Sequence, residues 1–155
     1  MSFRISGLAA APFQPLFALG DADLEARGAR RQTADAPNSF PCRVTLADAA
    51  PGERLILVHH EHQPARSPYR AGGPIYVREA AVEPAVLVDA VPDYLRRRLL
   101  SLRAYDEAGM MVDGEVAEGA AVEPLIARML GDPAVAYIHA HFARRGCYAA
   151  LIERA

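Results

Sequence analysis

The run Leu55–Val58 sets four apolar residues in succession just after the turn signal Pro51-Gly52. Side chains alternate across a strand, so a run that is apolar on both faces belongs to a strand buried on both sides. Beyond it the stretch Arg54–Glu79 reads RLILVHHEHQPARSPYRAGGPIYVRE. A histidine cluster, a Pro/Arg/Tyr/Gly loop and a second apolar segment follow one another. The strand is expected to leave the core at His59, and binding sites often lie where rigid backbone meets open surface.

Other strands are announced by short β-branched or alternating runs: Phe3–Leu8, Cys42–Leu46, Pro74–Arg78 and Ala85–Asp89. Leu100–Asp106 and Met110–Val116 flank Glu107-Ala108-Gly109, a hairpin loop with glycine at its left-handed position. Pro12 and Pro15 make Ala9–Leu19 an irregular segment anchored by Phe13, Leu16 and Phe17. Helices are expected at Asp21–Ala26, which opens with acids and stops at Gly28, and at Pro92–Leu99. The clearest helical stripe is Val122, Leu125, Ile126, Met129 and Leu130, bracketed by Pro124 and Gly131. Ala34–Ser39 has the composition of a loop. Frequent strands with few short helices predict a single α+β domain: a largely antiparallel sheet of six to eight strands with two or three short helices.

A chain of 155 residues fits one domain. The formal net charge of −2 argues against a nucleic-acid surface. No signal peptide stands out at Met1–Leu8, and no apolar run reaches the roughly 20 residues of a membrane span. Two cysteines in such a chain read as free thiols, and the expectation is a cytoplasmic protein without a membrane partner. All 17 basic residues are arginine, which suits bidentate contacts to carboxylate or phosphate but also follows from a GC-rich genome. The triplet Arg96-Arg97-Arg98 is most simply a solvated helix end.

Ala136–Ala143 and Cys147–Arg154 form a closing hairpin across Arg144-Arg145-Gly146. Glycine as third loop residue favours a type I turn with a bulge, pairing Ala143 with Cys147. Ile138, Ala140, Phe142, Tyr148, Ala150 and Ile152 then share the core face, and His139, His141, Cys147 and Ala149 the other. All five histidines fall in two places, His59, His60 and His62, and His139 and His141. An H-x-H spacing puts two imidazoles on one face of a strand about 7 Å apart. His60 or His62 together with His139 and His141 would suit a transition metal such as zinc, with Cys42 or Cys147 as a thiolate ligand. The competing reading is a hydrogen-bonded polar layer over the sheet, since no C-x-x-C or HExxH motif is present.

Two other chemistries fit the same residues. Cys147 beside His141, oriented by Asp106 or Glu61, would make a thiolate–imidazole pair; a buried cysteine packed as an apolar residue is the alternative. Arg70, Tyr69 and the amides at Gly72-Gly73 would cradle a small anionic ligand, or else form a plain surface loop. Neither a Walker A pattern nor GxGxxG is present, so nucleotide binding has no support.

Phe40-Pro41-Cys42-Arg43, Glu61-His62-Gln63-Pro64, Pro68-Tyr69-Arg70, Gly73-Pro74-Ile75, Leu102-Arg103-Ala104-Tyr105-Asp106, and His139 through Gly146-Cys147 stand in a familiar order. With them the chain resembles the bacterial proteins of domain of unknown function 1203, over nearly its whole length. The resemblance implies a small stand-alone bacterial protein and no particular activity. Relatives often carry an aromatic residue near His60, which implies that a metal site would rest on His62, His139 and His141. The expected function is therefore small-ligand binding or catalysis in a polar pocket drawing on Cys42, Arg43, His62, Gln63, Tyr69, Arg70 and Cys147. The alternative is a non-catalytic interaction domain that pairs with a partner or forms a homodimer.

Overall fold

A computed structural model describes residues 1–155. In chain order its elements are β1 (Phe3–Ser6), a 3-10 turn at Gln14–Ala18, α1 (Asp21–Ala26), β2 (Arg30–Thr33), β3 (Pro41–Cys42), β4 (Ala47–Asp48), β5 (Arg54–Gln63) and β6 (Ala71–Arg78). Then come β7 (Val86–Val88), α2 (Asp93–Arg96), β8 (Leu99–Tyr105), β9 (Met111–Glu118), a 3-10 turn at Gly119–Ala121, α3 (Glu123–Gly131), β10 (Tyr137–Phe142) and β11 (Tyr148–Arg154). The class is α+β. The strands form two sheets rather than one, in the orders β7-β1-β11-β10-β8-β9 and β2-β5-β6-β3-β4. All pairs are antiparallel except β3 with β6. No helix is long and apolar enough to cross a membrane.

The larger core lies under one face of the six-stranded sheet. Leu100, Leu102, Ile138, Ala140 and Ile152 pack there against Tyr94 and Leu95 of α2 and Ile126, Met129 and Leu130 of α3. The helical stripe thus buries the face its spacing predicts. In the five-stranded sheet Ile56, Val58, Ile75 and Val77 pack against Phe13 and Leu24, while Leu55 on the opposite face meets Ala34 and Ala49. This double cover is what the run Leu55–Val58 requires.

Several local expectations are corrected. β5 leaves the core at His59, which is exposed, as expected, but its backbone stays in the sheet to Gln63, with its register against β6 shifting between His60 and Gln63. Backbone pairing to Gly73 and Pro74 carries the strand past its last apolar residue. Cys42–Leu46 is not one strand: the chain pairs at Pro41–Cys42, turns through Arg43–Leu46 with Leu46 at φ 49°, and returns as β4. The polar strand β2 has no apolar alternation to announce it, and it forms because β5 offers an edge. β2, β3 and β4 bring the strand count to eleven.

The closing hairpin also departs from its expected register. Gly146 adopts the left-handed φ of 81°, as its place in the turn predicts. Its amide donates to the Phe142 carbonyl at 2.7 Å, and the Phe142 amide donates to the Cys147 carbonyl at 2.9 Å. The loop is therefore Ala143–Gly146, with Phe142 rather than Ala143 facing Cys147. A second irregularity at Ala140/His141 sets Tyr148 opposite His141. Tyr148 accordingly joins the histidine face, and Ala149 goes to the core.

Candidate functional site

The site forms where the two sheets meet. On the face of the six-stranded sheet away from α3, β10 contributes Tyr137, His139 and His141. Directly across from them on β8 stand Tyr105, Arg103 and Ser101. The polar end of β5 lies over this face and brings His62 onto both β10 histidines. Ring centroids are 4.8 Å apart for His62 and His141 and 5.9 Å for His62 and His139. Tyr148 stacks parallel to His62 at 5.4 Å and meets both β10 histidines edge-on. His139 is 5% exposed and His141 fully buried.

Ligand nitrogens, one from each of the three rings, all lie within 4.8 Å of one another. No cysteine or carboxylate belongs to the cluster. Each ring also has one buried nitrogen without a hydrogen-bond partner: Nδ1 of His62, Nδ1 of His139 and Nε2 of His141. For His141 the tautomer follows from the backbone. Its Nδ1 lies 2.9 Å from the Gly146 carbonyl oxygen, which can only accept, so Nδ1 carries the hydrogen and Nε2 the lone pair. A backbone carbonyl fixing the far nitrogen in this way is the usual second support of a metal-binding histidine.

Burial is the main cause that keeps these rings unprotonated, pushing His139 and His141 to about 3 and His62 to about 4. The charge of Arg103 works in the same direction on all three, while the Gly146 carbonyl pulls His141 the other way. Near neutral pH all three are neutral imidazoles, the form that ligates a metal. Nitrogens bound to a tetrahedral zinc at about 2.0–2.1 Å stand roughly 3.3 Å apart, so the rings need close by only about 1.5 Å. The donor set fits a borderline-soft transition metal, and it leaves a coordination position free.

The other residues named from sequence do not all join this cluster. His60 packs between Phe13 and Tyr148, and His59 is exposed against Gly72. Gln63 is buried beside the site and donates to the Tyr137 hydroxyl at 2.9 Å, which steadies the ring next to His139. Cys42 lies in the apolar core of the five-stranded sheet, where its sulfur accepts from the Arg78 amide. It cannot be a ligand.

The anion cradle is also corrected. Nε and Nη2 of Arg70 donate to the two carboxylate oxygens of Glu61 across the β5–β6 hairpin, and Gly72-Gly73 are part of β6. Tyr69 rests edge-on against Tyr105 at the surface. The thiolate–imidazole pair does not form either. His141 is turned to Gly146, Glu61 to Arg70, and Asp106 accepts from the amides of Ala108 and Met110. Cys147 and Arg43 instead line a cleft of 580 Å³, together with Arg97, Arg98, Arg144 and Arg145. One polar pocket was expected, and its residues divide instead between the histidine cluster and a separate cleft.

Sequence reasoning missed Tyr148, Tyr105, Tyr137 and Arg103 as neighbours of the histidines. The i, i+2 spacing of Arg103 and Tyr105 marks a common face, but which strand lies opposite is a tertiary fact. A family model described as "Protein of unknown function (DUF1203)" matches residues 39–154, which include every residue of the histidine cluster. No curated protein and no solved structure matches the chain.

Proposed function

We propose that this chain, which belongs to the DUF1203 family of proteins of unknown function, is a metal-dependent small-ligand-binding or enzymatic domain centred on His62, His139 and His141. The observation that carries this reading is the meeting of three histidines in one cluster, each with one buried ring nitrogen that has no hydrogen-bond partner. A buried polar atom left unpaired costs about 1–3 kcal/mol, so three together call for a common partner. A transition metal such as zinc supplies one. When bound by three histidines, such an ion keeps an open position for water or a substrate oxygen and acts there as a Lewis acid. The chain's own residues would do the rest. Gly146 holds the His141 tautomer, Tyr148 keeps His62 in plane, and Arg103 adds positive charge that favours an anionic ligand beside the metal. Both cysteines are free, in keeping with the cytoplasmic setting that forms part of this reading.

Elemental analysis of untagged protein, purified without chelator or added metal, is the direct test. About one equivalent of a transition metal is expected, lost in His139→Ala and His62→Ala and retained in His59→Ala. Cobalt added to the metal-free protein should give the visible absorption of a four- or five-coordinate site. Wild-type protein that carries no metal and takes up neither zinc nor cobalt on titration would refute the reading.

A further inference from the structure

The cleft beside the Ala143–Gly146 loop holds more positive charge than the fold consumes. Arg43, only 2% exposed, lines its floor. Nε of Arg43 donates to the Tyr148 carbonyl at 2.8 Å and Nη1 to the Pro41 carbonyl at 2.6 Å. The Phe142 ring lies 5.1 Å from the guanidinium carbon. Nη2 has no hydrogen-bond partner, and no carboxylate pairs with this arginine. A guanidinium this deeply buried without a counter-ion is costly, and an anion entering the cleft would complete it.

The remaining arginines divide into used and unused. Arg98 is matched by Asp48 at 2.6 Å and sits over the Phe142 and Tyr94 rings. Arg97 donates to Asn38. Arg144 and Arg145, in contrast, are exposed at the rim and make neither an ion pair nor a hydrogen bond. Five arginines around the cleft face three carboxylates, Asp35 and Glu118 in its lining and Asp48 behind Arg98, an excess of two positive charges.

We infer that this cleft is a second binding site, separate from the histidine centre, for a small dianionic ligand carrying a phosphate or two carboxylates. Its 580 Å³ lies within the range of about 300–1,000 Å³ typical of small-molecule sites. Planar guanidinium forks are the groups that grip either anion with paired hydrogen bonds. The site takes shape because the hairpin loop does two things at once. Its Gly146 carbonyl faces His141, while Arg144, Arg145 and Cys147 face the cleft.

Cys147 provides the readout. Cys42 is fully buried, so a chromogenic disulfide reagent reports the half-buried thiol of Cys147. Labelling rates are measured in inorganic pyrophosphate, in malonate, and in potassium chloride at equal ionic strength. Saturable protection of at least fivefold by pyrophosphate or by malonate is expected, and the more effective anion identifies the phosphate or the dicarboxylate class. The double variant Arg144→Ala/Arg145→Ala should raise the half-protecting concentration at least tenfold without lowering the unfolding temperature. Protection should persist in His139→Ala, because it does not depend on a metal. Equal rates in all three salts, protection that survives in the double variant, or protection lost with His139 would each overturn the inference.

Discussion

The ring of His141 divides its two nitrogens between structure and chemistry: Nδ1 is spent on the Gly146 carbonyl, and Nε2 is buried without a hydrogen-bond partner in the protein. His139 shows the contrast, for it makes no hydrogen bond in the protein and its Nδ1 is buried and unpaired. A residue kept only for stability would not be so arranged. His139→Leu should therefore abolish metal uptake yet raise the stability of the metal-free protein by about 1 kcal/mol, since it removes an unsatisfied buried nitrogen. Urea unfolding in the presence of chelator measures this. A loss of several kcal/mol would instead assign His139 a structural role. At this scale much of the site was legible. The spacing of His139 and His141 puts both rings on one face of any strand, so the pair could be read from sequence. That Tyr148 belongs beside them could not, because a single inserted residue opposite His141 reverses which face it takes.

Elements whose side chains carry a periodic pattern were readable, and those held by their neighbours were not. α3 and the β8–β9 hairpin follow their apolar spacing and their glycine. β2 and the polar half of β5 owe their form to the ladder, which their side chains do not reveal. The start of β5 also depends on charge. Glu53 is bound by Arg78 of β6 at 2.6 Å and by the Ala50 amide at 2.5 Å. Burial tends to raise the pKa of Glu53, but these hydrogen bonds and the Arg78 charge prevail and hold it below the usual carboxylate value. A carboxylate depressed in the folded state adds stability that is complete above its unfolded pKa of about 4.5 and is lost as pH falls through the folded value. Glu53→Gln should thus be less stable than wild type by about 1 kcal/mol from pH 5 to 8. The difference should shrink below pH 4.5. Thermal unfolding across that range gives the answer, and a gap that widens in acid would contradict the assignment.

In the molecule as a whole the two sheets are joined at several places, among them the histidine cluster, the Arg43–Tyr148 hydrogen bond and Gly7. The Gly7 amide donates to the Ala85 carbonyl and the Leu8 amide to that of Arg43, while the Val44 carbonyl accepts from Ala85. A Cβ on Gly7 would land on the Val44 carbonyl oxygen, and backbone cannot step aside as a side chain can. Gly7→Ala is expected to cost about 1–3 kcal/mol, the usual range for overpacking a tight site. Tyrosine fluorescence and far-ultraviolet circular dichroism should still report one coincident transition, since the junction serves both sheets. Loss of one sheet's signal ahead of the other would show that the sheets fold independently.

The fold class, the position of α3, the β8–β9 hairpin, the double cover of β5 and the pairing of histidines on one strand face could all be read from the chain. These follow from periodicity and turn chemistry, which act between residues a few positions apart. The division of the strands into two sheets, and the laying of the polar end of β5 over β10 so that His62, the histidine the resemblance singles out, meets His139 and His141, came from tertiary packing. That packing also decided that Arg43 and Cys147 face a different cleft from the histidines. Those outcomes depend on register shifts and on long-range packing between strands distant in sequence, where one extra residue in a bulge exchanges the two faces and no local pattern records the choice.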